Sequence, residues 1–157
     1  MGLDMYLQGE RYRGYQRDEE PSTHETAYMG CKLQYSKYEI EYWRKHNQLH
    51  GYIVKEFAHE AEDNCQPIYL SREAIEQIIE YLGSVQEFPA TPGFFFGSNN
   101  NEYSPEQRKF DVDAFRKALD FLDAQDEASN MVETMNYNEE SIMVREYNHS
   151  VEYQASW

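Results

Sequence analysis

His46 and His50 stand four residues apart in EYWRKHNQLHGYIV, residues 41–54. On a helix that spacing brings both imidazoles to one face, the arrangement of a two-histidine metal pair. Asn47 occupies the place of the glutamate in an HExxH motif, so the pair lacks its general base. Asp4 and His59 are the conceivable further ligands. At about 100° per residue, Trp43, Ile53, Val54 and Phe57 share the side that carries His46, Asn47 and His50. Arg44, Lys45, Gln48 and Lys55 fall on the far side.

A core helix would place aliphatics at 46, 47 and 50. Three readings are open. The polar side chains are hydrogen-bonded inside the core, as buried polar groups usually are. Alternatively, Trp43, Asn47 and His50 line a pocket in which a ring stacks and an amide and an imidazole read the edges of a planar ligand. The third reading is metal; with only two ligands in evidence, no metal and no cofactor are expected.

Other chemistry is sparser. In GFFFGS, residues 93–98, three phenylalanines read as a buried strand ending in a tight turn. Gly97 and Ser98 would offer backbone N–H groups to an anion. Asp4 is either an exposed strand residue or a buried partner for a base on the 41–54 segment. With Tyr6 it completes the candidate ligand set of Trp43, Arg44, Lys45, Asn47, His50, Asp4, Tyr6, Gly97 and Ser98. No P-loop, GxGxxG, GxSxG, kinase or zinc-ribbon signature occurs. No nucleophile is paired with a base, so catalysis is not the expected function.

The elements that must hold these residues follow from periodicity. Leu3, Met5 and Leu7 alternate with Gly2, Asp4 and Tyr6, which is strand period. A second strand is expected in AYMGCKLQYS, residues 27–36, antiparallel to the first, after an exposed loop at 17–25. A helix is expected from about Glu39 to His59, with 40–57 helical throughout. PIYL is a short strand, and Ser71 caps a helix over 72–85 whose stripe is Ala74, Ile75, Ile78, Ile79 and Leu82. Asp111 or Asp113 is the expected cap of a third helix with the stripe Phe115, Ala118, Leu119 and Leu122. SIMVREYNHSVEYQASW reads as two short strands with a turn near Asn148-His149. The sum is one α+β domain, residues 1–157, with a mainly antiparallel sheet and three helices packed on it.

Composition limits the partners. The net charge is -15 and the pI is near 4.6, which disfavours nucleic acid and anionic membrane surfaces. Between Ala118 and Trp157 nine acidic residues face only Arg145. That block is either a solvated face or a DNA-mimicking surface. Cys31 and Cys65 form no CxxC pair, which suits a reducing compartment. No apolar run approaches a membrane span. The opening MGLDMYLQGE has Asp4 early and no long apolar core, so it does not read as a signal peptide. A cytoplasmic protein is expected, in the host cell if the chain is phage-encoded.

MGLDMYL, YWRKHNQLH (42–50), GFFFGS, the Asp63–Cys65 turn and EYQASW together resemble a family of small bacteriophage and bacterial proteins without an assigned activity. His46 stands where that family has Ala, and Gly51-Tyr52 where it has Lys-Trp. The resemblance implies a phage accessory protein, and by context an inhibitor of host defence. The function expected is therefore binding and sequestration of a small nucleotide-like ligand. In it Trp43 stacks the base, Arg44, Lys45 or the 97–98 turn meets phosphate or ribose, and Asn47 and His50 read edges. Because Arg44 and Lys45 face away from the histidines on a helix, the site is expected to form between subunits of a homo-oligomer. An acidic, protein-blocking or DNA-mimicking inhibitor is the alternative.

Overall fold

A computed structural model describes residues 2–13, 35–58, 65–85, 88, 103–128, 131–135, 138–145 and 147–157. Strand β1 (Asp4–Arg13) continues the predicted alternation, and Leu3, Met5 and Leu7 are all buried. Strand β2 (Tyr35–Arg44) pairs antiparallel with it, with Met5 opposite Trp43 and Tyr6 opposite Tyr42. The register slips between Leu7 and Gln8, which leaves Ile40 as the extra residue of a bulge.

The 41–54 segment is therefore not one helix. Its first residues are strand, and helix α1 starts only at Asn47 and runs to Phe57 (Asn47–Phe57). The aromatic and β-branched run Tyr35, Tyr38, Ile40, Tyr42, Trp43 has strand chemistry, and pairing with β1 holds it extended. The predicted 27–36 strand lies outside the described residues except for its last two positions, which open β2.

Strand β3 (Ile68–Leu70) is short, as expected. Helix α2 (Arg72–Ser84) is capped by Ser71, whose Oγ accepts from the Ala74 N–H at 3.1 Å. Ile75, Ile78 and Leu82 are buried, each contributing roughly 1.5–3 kcal/mol of apolar transfer. Helix α3 (Pro105–Ala128) starts earlier than predicted. Its cap is Ser104, which accepts from the Gln107 N–H at 3.1 Å, and not Asp111 or Asp113. Pro105 at the first helical position favours that start. The Phe115 and Ala118 stripe is buried as read.

Strand β6 (Tyr147–Ser156) runs unbroken through Asn148 and His149, where a turn was expected. Both residues pair with β1, opposite Tyr12 and Arg11. The hairpin lies earlier, between β4 (Met131–Met135) and β5 (Ser141–Arg145), as a separate two-stranded sheet.

The main sheet is antiparallel in the order β2-β1-β6-β3. The three helices pack with it as one α+β arrangement. The core face carries Leu7 and Gly9, where the Phe121 ring of α3 lies against the glycine. Tyr52 of α1 stacks on Tyr81 of α2, with ring centroids 3.7 Å apart. The Arg108 guanidinium donates to the carbonyls of Leu82 and Val85 and so holds the end of α2 against α3. Among the described residues no helix is long and apolar enough to cross a membrane.

Candidate functional site

The junction between β2 and α1 builds the site. It contains neither Gly nor Pro; the chain turns at Lys45, whose φ is 58°. An L-residue in that left-handed region costs about 1–2 kcal/mol. Met5 pairing with Trp43 on one side and the Lys45 N–H donating to the Leu3 carbonyl at 2.8 Å on the other hold the conformation. Such strain persists where the surroundings over-determine it.

His46 follows at the N-cap position of α1, but its side chain makes no cap bond. It reaches instead to α3, where its Nε2 lies 2.7 Å from Asp111 Oδ2. Asp111 is completely buried. Its Oδ2 also accepts from the Tyr103 hydroxyl at 2.8 Å. Its Oδ1 accepts from Trp43 Nε1 at 2.9 Å and from Gln107 Nε2 at 2.8 Å. Trp43, Gln107 and Tyr103 are donors, and an ionised carboxylate so surrounded accepts only, from its fourth neighbour His46 as well. Nε2 of His46 therefore carries a hydrogen. Burial, and then the neighbouring Asp111 charge, hold the Tyr103 hydroxyl far above its ordinary range and keep it a donor. The Arg108 guanidinium sits over the Tyr103 ring, 4.6 Å from its centroid.

This network forms the floor of an open cleft of about 410 Å³, within the size range of small-ligand sites. Trp43, Phe88, Tyr103 and Gln107 lie at the floor, and His46 and Gln48 add polar atoms. Arg44 and Lys45 form a cationic rim. Tyr42 and Phe110 also line it; Phe110 is its exposed ring, at 43%, while the Tyr42 ring turns to Tyr6 and Asp4 on the outer face of the sheet. Asp4 lies behind this rim: the Tyr42 hydroxyl donates to it, and Arg44 Nε is 3.9 Å away. That bond is the first cause that raises the Tyr42 hydroxyl above its usual range.

Three of the nine expected ligand residues, Trp43, Arg44 and Lys45, line this one cleft. Because residues 43–46 are not helical, Arg44 and Lys45 share it with His46. The geometry that called for a second subunit is gone. Trp43 is 4% exposed, lies nearly parallel to Phe115 and meets Phe110 edge-on. Its faces are spent in the core, and Phe110 is the exposed ring beside it.

Asn47 and His50 are buried behind the cleft. His50 Nδ1 lies 2.7 Å from the Tyr153 hydroxyl, and its ring meets Trp157 edge-on. The two histidines thus serve different partners. Among the described residues no group of three metal-ligating side chains converges. Tyr6 sits beside Tyr42 on the other face of the sheet, with ring centroids 5.3 Å apart. Asp4 is part-exposed and pairs with Arg44 of the 41–54 segment as well as with Tyr42. Gly97 and Ser98 lie outside the described residues.

Sequence reasoning missed Asp111 as the hub, together with Tyr103, Gln107, Tyr42 and Phe110. One signal was present. Asp111 lies four residues before Phe115 on the apolar stripe of α3, where a carboxylate needs a buried partner. Comparison with protein-family models, curated proteins and solved structures returns no match.

Proposed function

We propose that the cleft binds a small, planar, anionic molecule of the nucleotide class. The observation that carries this reading is the join of rim and wall. Two cations, Arg44 and Lys45, stand beside the exposed ring of Phe110 over one 410 Å³ cleft. The start of α1 adds to the field: its first turn holds no acidic residue, and its positive end meets the Lys45–His46 corner. In a chain of net charge -15, a local cationic patch of this kind focuses an anion that the rest of the surface repels. The likeness to bacteriophage proteins adds a setting, the withdrawal of a nucleotide signal on which a host defence depends.

Calorimetric titration tests the reading with thymidine 5′-monophosphate, thymidine and inorganic phosphate. The nucleotide is expected to bind more tightly than either half, with an affinity that falls as salt is raised. Lys45→Ala should weaken it, while Glu139→Lys with Glu140→Lys, on the exposed β4–β5 turn, should not. Equal affinity for nucleotide and nucleoside, or no binding at millimolar concentration, overturns it.

A further inference from the structure

We propose that the cleft also cleaves what it binds, as a phosphodiesterase of nucleotide diesters with His46 as the general base. The inference rests on the binding reading above. Its own ground is the pairing that links α1 to α3. Asp111 is buried, and four donors fix its carboxylate. It takes the N–H of His46 Nε2 at 2.7 Å. In the neutral ring the lone pair is then on Nδ1, and His46 lines the cleft. A buried carboxylate that fixes the tautomer of a cleft-lining histidine is the arrangement of an oriented general base.

The ring is also held from its sides. Phe88 meets it nearly perpendicular, with centroids 5.8 Å apart, and Tyr103 lies at 6.2 Å. His46 gives up helix capping for this contact. Lys45, the adjacent residue, holds a left-handed backbone and lines the same cleft. Asp111 acts through His46 and is a positioning residue.

The step balances with water as the nucleophile. His46 Nδ1 takes one water proton as the water oxygen forms its bond to phosphorus. The opposite P–O ester bond breaks, its electron pair passes to the leaving oxygen, and the Lys45 ammonium protonates that oxygen. Solvent removes the proton from His46 and returns one to Lys45. The sum is one diester and one water giving one alcohol and one monoester. Arg44 and Lys45 face the charge that builds on the phosphoryl oxygens.

The test uses bis(p-nitrophenyl) phosphate and thymidylyl-thymidine as substrates, and thymidine 5′-monophosphate as the binding probe. Wild-type protein should release p-nitrophenol and thymidine. His46→Ala should lower kcat by about 10²–10⁴-fold, a larger factor than its effect on KM. Added imidazole should restore part of the His46→Ala rate, which a merely structural histidine would not allow. Asp111→Asn should lower kcat more than it raises KM and alter the pH profile. Where that variant is poorly folded, the His46→Ala rescue decides alone. Wild-type protein that binds the monophosphate and cleaves neither diester overturns this inference and leaves the binding reading standing. A His46→Ala rate equal to wild type overturns it as well. Failure to bind the monophosphate defeats both.

Discussion

Trp43 Nε1 donates to Asp111 Oδ1 at 2.9 Å, joining the end of β2 to α3 across 68 residues of chain. Three further donors meet the same carboxylate. Asp111→Ala leaves all four without their acceptor, two of them at buried contacts. It should destabilise the fold by about 3–5 kcal/mol, as loss of one partner in a buried ionic network does. Urea unfolding followed by Trp fluorescence checks this. A loss under about 1 kcal/mol would show that the donors find other partners.

Phe110 and Trp43 should separate binding from stability. Phe110 is half-exposed, so Phe110→Ala should cost little stability and weaken thymidine monophosphate binding by about 1–3 kcal/mol, the value of a stacked base. Trp43→Ala should instead cost about 3–5 kcal/mol of stability, as truncation of a core aromatic does. Thermal melts paired with calorimetric titration distinguish the two.

Lys45 should show opposed effects on stability and binding. Lys45→Gly relieves the left-handed strain at φ 58° and is expected to raise stability by about 0.5–1 kcal/mol. The same change removes a rim cation and should weaken nucleotide binding. Chemical denaturation and titration of the one variant test both signs.

Gly9 is required by close approach. A Cβ there would lie 2.6–2.8 Å from ring atoms of Phe121. The ring cannot swing aside, because His149 stacks on it at 4.8 Å and Tyr38 packs at 5.9 Å. Gly9→Ala should cost about 1–3 kcal/mol, and Phe121→Leu in the same chain should recover part of the loss. Urea midpoints of the single and double variants give the coupling.

Alkali should unfold the protein in a way Tyr103 reports. An unfolded tyrosine loses its proton near pH ~10, whereas Tyr103, raised first by burial and then by Asp111, keeps it well above that. Above about pH 10 the unfolded state therefore binds fewer protons, and stability falls as pH rises. Burial raises Tyr52 and Tyr81 in the same sense. Tyr103→Phe should flatten the slope of the urea midpoint against pH.

Legibility in the sequence followed the period of the apolar residues. Leu3, Met5 and Leu7 announced β1, and Ser71 with Ile75, Ile78 and Leu82 announced α2, because one face of each is buried. The start of α1 was missed for a physical reason. The chain turns from strand to helix at Lys45, a residue type that carries no turn signal, and tertiary pairing of Trp43 with Met5 decides the outcome. Asn148-His149 carried a turn signal that the long ladder with β1 overrides. The cleft was legible only in part: Trp43, Arg44 and Lys45 are adjacent in sequence, but Asp111 and Phe110 meet them only once α3 has docked.

The order β2-β1-β6-β3 also sets a timetable for synthesis. The partner that completes β1 on its inner side is β6, and contacts such as Lys37 with Glu152 span 115 residues. While the ribosome still makes α2 and α3, β1 has no neighbour there and presents an unpaired edge. Native sheet closure therefore waits until β6 has left the exit tunnel. Nascent chains stalled before that point carry an open strand flanked by apolar side chains, a surface on which holding chaperones act and through which chains pair with one another.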